Sequence, residues 1–87
     1  MDLSKLQTLV EVVRHGRFAA VARDRNVDPS SISRAIASLE KELGVRLFQR
    51  TTRQLTPTEA GSLYYEKVAP LMAQVAQAGT AITEVTG

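Results

Sequence analysis

The chain has 87 residues, is 44% hydrophobic, contains no cysteine and carries a net charge of +2. A chain of this size fits one domain that buries only about 60% of the surface exposed when unfolded, and without cysteine neither a disulfide framework nor a thiolate zinc site can supplement its modest core. No apolar run approaches membrane-spanning length and the N-terminus lacks the charged-then-apolar layout of a secretory signal, so a soluble cytoplasmic protein with no membrane partner is expected.

Charge is spread unevenly. Between Arg14 and Arg53 nine Lys or Arg face four Asp or Glu, a local surplus of five, while the remaining residues sum to −3. A basic central region is the electrostatic footprint of a nucleic-acid binder, although a solvated basic face has the same composition.

The first helix is marked by Leu3, Leu6, Leu9, Val10 and Val13 at helical spacing, with Asp2 able to cap its start and Gly16 to end it in left-handed geometry. Phe18, Val21 and Ala22 begin a second, shorter stripe that runs out before Asn26. A tight turn follows, from which Val27 is expected to plug into the core.

Asp28-Pro29 opens the third helix. The carboxylate can accept otherwise unsatisfied backbone N–H bonds, and proline loses nothing at the first helical position, where its missing donor has no partner anyway. Apolar residues at 32, 36, 39 and 43 form the buried stripe, and Gly44 ends the helix. Opposite lie Ser30, Arg34, Ala37 and Lys41, flanked by Ser31 and Ser38.

From Val45 onward, Val45 and Leu47 alternate with Arg46, and Arg50-Thr51-Thr52-Arg53 stands between two short extended pieces. A small hairpin, or wing, over 46–56 is the economical reading. Thr56-Pro57-Thr58-Glu59 then offers two helix starts, a capping box from Thr56 to Glu59 or Thr58 as the cap, and local chemistry does not choose between them. In the last helix Tyr64, Val68, Leu71, Val75, Ala78, Ile82 and Val85 are spaced 4, 3, 4, 3, 4, 3. That heptad seam predicts a partner helix, parallel or antiparallel; the alternative is packing on the chain's own first helix. Pro70 lies off the seam, where it removes a backbone bond and can bend the helix. The expected fold is mainly α: a winged helix-turn-helix, with a three-helix core and a small β-hairpin wing, over 1–57, followed by a long linker helix over 58–87.

These elements resemble the N-terminal DNA-binding domain of LysR-type transcriptional regulators. The residues that carry the likeness are Gly16-x-Phe18, Ala22, Ser33, Ile36, Leu39-Glu40-x-x-Leu43-Gly44, Leu47-Phe48-x-Arg50, Arg53, and Leu55 through Thr58-x-Ala60-Gly61. The resemblance implies sequence-specific binding of double-stranded DNA by a homodimer joined through the linker helix, with the tetramer a further assembly open to the full-length protein. It also implies an effector-binding domain after the linker helix. That domain is absent from these 87 residues, so an isolated DNA-binding portion is expected. The family's site is an interrupted palindrome bounded by T and A.

Three departures from the family pattern stand out. Arg17 replaces the usual serine, so the second helix loses a good N-cap, at a cost of about 0.5–2 kcal/mol, and gains a group able to meet phosphate. Arg25 replaces the usual leucine; its stem is expected to pack while its guanidinium reaches solvent, towards Asp28. Asp28-Pro29 stands where many members have Ser-Gln, and proline cannot perform the base contact that the glutamine often makes. Base reading therefore shifts to Ser30, Ser31 and Arg34 at the start of a helix 28–43 placed in the major groove. Arg34 is the foremost candidate, either bidentate on guanine O6 and N7 or holding a phosphate. Pro29 is a helix starter that can also touch a thymine methyl, and Lys41 lies too far along to reach the groove floor. Ser33, about 90° from the buried stripe, touches backbone by resemblance, and Ser38 flanks the DNA-facing side. At the wing, Arg50 and Arg53 suit phosphate or minor-groove contact, and Thr51 and Thr52 can donate to phosphate oxygens.

An enzyme is the first rival class. His15 is the only histidine, and it has no cysteine, carboxylate pair or glycine-rich phosphate loop for company, so no catalytic residue, metal or cofactor is expected. A winged-helix protein-protein interaction module is the second rival, because fold alone does not decide function.

Overall fold

A computed structural model describes residues 2–50 and 55–86. Three helices, α1 (Leu3–His15), α2 (Phe18–Arg25) and α3 (Pro29–Leu43), precede an antiparallel hairpin of β1 (Phe48–Arg50) and β2 (Leu55–Pro57), and α4 (Glu59–Thr86) follows. The hairpin pairs Phe48 with Pro57, Gln49 with Thr56 and Arg50 with Leu55. This is the winged helix-turn-helix with a long C-terminal helix that the apolar patterning predicts. The wing-tip candidates Thr51, Thr52 and Arg53 lie outside the described residues.

Local chemistry sets the helix limits. Asp2 accepts from the Ser4 N–H at 2.9 Å and Asp28 from the Ser30 N–H at 3.3 Å, each supplying an acceptor to a first turn that has none within the helix. Gly16 (φ 82°) and Gly44 (φ 74°) close α1 and α3 in the left-handed region. Arg17 makes no side-chain capping bond to α2, as its replacement of serine predicts.

Leu9 and Val12 of α1, Val21 and Ala22 of α2, Ile32, Ile36 and Leu39 of α3, and Leu47 and Phe48 at the wing base form one buried cluster. Val27 does not join it: the residue is 43% exposed. Asn26, at φ 57°, turns the chain sharply, and the Val27 N–H is tied to the Ala22 carbonyl at 2.9 Å, which keeps Val27 at the rim. The hairpin is also narrower than the alternation suggests. Val45 is 45% exposed, whereas Leu47 and Phe48 are both buried, because pairing begins only at Phe48.

Arg25 overturns another expectation. Its guanidinium turns away from Asp28 to α1, where Nε and Nη2 grip the two oxygens of Glu11, each at 3.1 Å, and Nη1 donates to Thr8 Oγ1 at 2.8 Å. Thr8 is itself buried and donates to the Ser4 carbonyl at 2.9 Å. A planar fork matched to a carboxylate is the strongest geometry available to this pair, and it fastens the end of α2 to the middle of α1.

Between the two possible starts of α4, the structure selects Thr58. Thr56 is held in β2, opposite Gln49, while Thr58 Oγ1 accepts from the Gly61 N–H at 3.0 Å and donates to the Arg46 carbonyl at 2.6 Å. The Thr58 N–H bonds the Leu47 carbonyl at 2.9 Å. Gly61 packs so closely on that carbonyl that a methyl group at its Cα overlaps it.

The seam of α4 is divided. Val68 is buried (4% exposed), and Tyr64 is partly buried against the core cluster, so both spend part of their apolar surface within the chain itself. Leu71 (54%), Val75 (53%), Ile82 (66%) and Val85 (84%) are exposed, and so is Ala78. At 1.5 Å per residue a 28-residue helix is about 42 Å long, close to the molecule's longest dimension of 48 Å; α4 runs along α1 as far as Ala76, opposite Gln7, Val10 and Arg14, and its later turns extend beyond. The helix continues through Pro70. No helix among the described residues is long and apolar enough to cross a membrane.

Two outcomes follow from this packing. Gly61→Ala forces a backbone shift at Leu47 and is expected to lower unfolding free energy in urea by about 1–3 kcal/mol; Gly79→Ala, where a methyl meets nothing within 4 Å, costs nothing. The hydrogen bond from Arg25 holds the Glu11 carboxyl below its ordinary range; partial burial works against this, and Gln7 and the Arg25 charge add to the lowering. Because the folded value lies below the unfolded one, the pair's stabilisation is complete above the unfolded value of about 4.3 and is lost as pH falls through the folded value. Glu11→Gln should therefore flatten the decline in thermal midpoint between about pH 5 and pH 3 relative to the parent chain; an unchanged slope would show that the pair contributes no pH dependence.

Candidate nucleic-acid interface

Helix α3 is set by the turn before it. Asn26 closes α2 in left-handed geometry and Asp28, extended at φ −71° and ψ 136°, opens α3 two residues later. The α3 face with Ile32, Ile36 and Leu39 is buried, and this leaves Ser30, Arg34, Ala37 and Lys41 exposed on the opposite face, with Pro29 exposed in the first turn. The two best placed of these touch each other: Arg34 Nη1 lies 3.4 Å from Ser30 Oγ, a long bond one turn apart. Such a contact is easily exchanged for a stronger acceptor, because a charge-assisted bond to phosphate or guanine is shorter.

The serines divide between the two flanks. Ser31 and Ser33 are half-buried. Ser38 Oγ accepts from Lys5 Nζ at 2.8 Å, and the same ammonium reaches Glu42 Oε1 at 3.1 Å. Ser38, on the flank where the sequence reading put it, therefore takes part in a bridge between α1 and α3. The wheel alone cannot show this, since the lysine lies 33 residues away. Ser33 is seven residues from Glu40, two helical turns, and so shares the opposite flank, which faces the wing.

That flank carries a buried carboxylate that the sequence reading named only among the residues of the family likeness. Glu40 is buried, at 8% exposed. Its Oε2 accepts from the Leu47 N–H at 2.8 Å and the Phe48 N–H at 3.4 Å, and its Oε1 lies 3.9 Å from Arg50 Nη2. Arg50 also stacks over the Phe18 ring, 5.3 Å from its centroid. The guanidinium thus stands between α2, α3 and the wing, with its side chain still 39% exposed. The available signal was position: Glu40 follows Leu39 directly and borders the apolar stripe, where a carboxylate needs partners. Arg17, between α1 and α2, is exposed and extended.

A model of the bacterial regulatory helix-turn-helix proteins of the lysR family matches residues 3–62, which span α1 through the first turn of α4. The chain belongs to this family. Relatives in the LysR family include the probable HTH-type transcriptional regulator LtrA of Klebsiella pneumoniae, 40% identical over 87% of this chain and 25% of its own length. The HTH-type transcriptional activator AaeR of Escherichia coli is 42% identical over 74% of this chain and 21% of its own. The chain thus spans about a quarter of the length of these curated relatives. Among solved structures, the BenM DBD bound to catB site 1 DNA superposes with a TM-score of 0.91 at 29% identity, covering all of this chain and 97% of the other. Full-length AphB, a virulence activator of Vibrio cholerae, gives 0.88 at 34% identity over 95% of this chain and 29% of its own. This LysR-family chain is accordingly a helix-turn-helix DNA-binding domain of the kind found in transcriptional regulators.

Proposed function

We propose that this chain binds specific double-stranded DNA as a homodimer on an inverted repeat, in the cytoplasm, as the DNA-binding portion of a LysR-type transcriptional regulator without catalytic activity or cofactor. The N-terminal part of α3 enters the major groove with Ser30, Ser31 and Arg34 toward the base edges, and Ser33 meets backbone. Arg17 meets phosphate, while Arg50 and Arg53 with Thr51 and Thr52 take phosphates or the minor groove. Pro29 sets where the helix begins.

The observation that carries this reading is the exposed Ser30–Arg34 pair at the start of a helix whose other face is core. Two bound complexes strengthen it: the BenM DBD with DNA, and the CbnR DBD with DNA, which gives a TM-score of 0.85 at 26% identity. A guanidinium offers two parallel donors in the spacing of guanine O6 and N7, and one such pair gives about 1–3 kcal/mol of discrimination. The partner is a second copy, joined through the exposed part of the α4 seam: Leu71, Val75, Ala78 and Ile82. Two-fold symmetry in the protein calls for an inverted repeat in the DNA.

Selection of bound sequences from random duplex, repeated at two salt concentrations, tests the central reading. Enrichment of an inverted repeat is expected; an unenriched pool would sink it. On the selected site Arg34→Ala is expected to lose about tenfold or more in affinity while losing less on random duplex, and equal loss on both would make Arg34 a phosphate contact. Leu71→Asp is expected to shift the protein to monomer in sedimentation, and an unchanged dimer would remove α4 from the interface.

A further inference from the structure

Glu40 has a task that the contacts of the exposed helix face do not explain. A carboxylate taken out of water is costly unless its oxygens are satisfied. Here both oxygens are directed at the same short stretch of chain, Oε2 at the N–H groups of Leu47 and Phe48, Oε1 toward Arg50. An apolar residue would fill the space, but it would leave the buried Leu47 N–H without its acceptor. What an apolar residue would not do is define where β1 leaves the body, or where the Arg50 charge rests.

We propose that Glu40 is a positioning residue for DNA binding: its buried carboxylate locks the wing to the recognition helix and presets the Arg50 guanidinium over Phe18 for a backbone phosphate. The proposal rests on the DNA-binding reading above and extends it to a residue that touches no DNA. Arg50 is held on one side by the Glu40 carboxylate at 3.9 Å and on another by the Phe18 ring at 5.3 Å, with part of its side chain still exposed. Two anchors restrict the rotamers of a long side chain before the ligand arrives, so less freedom is lost on binding. The 3.9 Å separation is long for an ion pair and leaves N–H donors for a second anion.

The test compares Glu40→Gln, Arg50→Ala and the double variant by the salt dependence of binding, both to random duplex and to the selected site. Glutamine keeps the reach and one acceptor for Leu47 while removing the charge. The parent protein is measured first on random duplex. Failure to bind any duplex would refute the DNA-binding reading itself, separately from this proposal. Expected is a folded Glu40→Gln protein whose affinity drops several-fold and whose slope of log K against log salt shrinks by about 0.9 per subunit, one phosphate contact. Arg50→Ala should give the same slope change, and the double variant no more than either alone. A Glu40→Gln protein that melts earlier but binds with the parent's affinity and slope would overturn the proposal by reducing Glu40 to a structural role. Additive losses would do so too. Should Glu40→Gln not fold, Arg50→Ala decides: this partly exposed side chain can be truncated without opening the core, and an unchanged slope overturns the proposal.

Discussion

The backbone of Leu47 is where the three working parts of this domain are joined. Its N–H is taken by the Glu40 carboxylate of α3 and its carbonyl by the N–H of Thr58 at the head of α4, at 2.8 Å and 2.9 Å. Its side chain is buried in the core. One residue thereby fixes α3, the wing and α4 against each other, and each contact demands a particular neighbour. Glu40 supplies a charge that only paired donors make tolerable. Gly61 supplies the absence of a side chain, and Thr58 is both cap and clasp, bonding the Gly61 N–H and the Arg46 carbonyl. Buried polar bonds of this kind specify one arrangement, because every alternative leaves a donor or a charge without a partner.

The helix-turn-helix is held from the opposite side by charged groups. Arg25 fastens α2 to α1 through Glu11 and Thr8, and Lys5 fastens α1 to α3 through Ser38 and Glu42. Both bridges join α1 to the other two helices of the body. The exposed face then inherits its position from the core and the bridges together, so Ser30 and Arg34 are presented by a support that exists before any ligand binds. Preorganisation of that sort lowers the ordering cost of association.

The parts of this fold that were legible in the sequence are those decided within about one helical turn. Asp2, Asp28, Gly16 and Gly44 end helices by local bonding, and the stripes of α1 to α3 follow from the 3.6-residue period. The parts that were not legible depend on pairs far apart in sequence. Arg25 lies 14 residues from Glu11 and the Ser38 hydroxyl 33 from Lys5, and neither spacing leaves a periodic trace. Glu40 borders the apolar stripe, but its partners enter only when the chain returns at Leu47. Val27 satisfies the hydrophobic pattern, yet the left-handed turn at Asn26 decides its exposure. The candidate face was legible in outline through Ser30, Ser31 and Arg34, since it is simply the side of α3 opposite the core. Its limits were not, because Ser38 and Arg50 each answer to a neighbour on another element.

The division of the α4 seam links folding to assembly. Tyr64 and Val68 are taken up in part by the chain's own core, but the later turns carry Leu71, Val75, Ile82 and Val85 in the open. Those turns are poor at standing alone. Isolated helices shorter than about 12–15 residues are marginal in water, Gly79 weakens the interior, and Thr80 and Thr83 bond back to the carbonyls of Ala76 and Gly79 at 3.2 Å and 3.0 Å. Each exposed Leu, Val or Ile returns about 1.5–3 kcal/mol when fully buried, so a second copy covering the row offsets a cost that the helix otherwise bears by itself. In the proposed homodimer, ordering of the C-terminal turns and pairing of two copies are then one event. Since the head of α4 is clasped to Leu47, and Leu47 to Glu40 of α3, the proposed pairing would also set the separation of the two α3 helices and hence the half-site spacing open to such a pair.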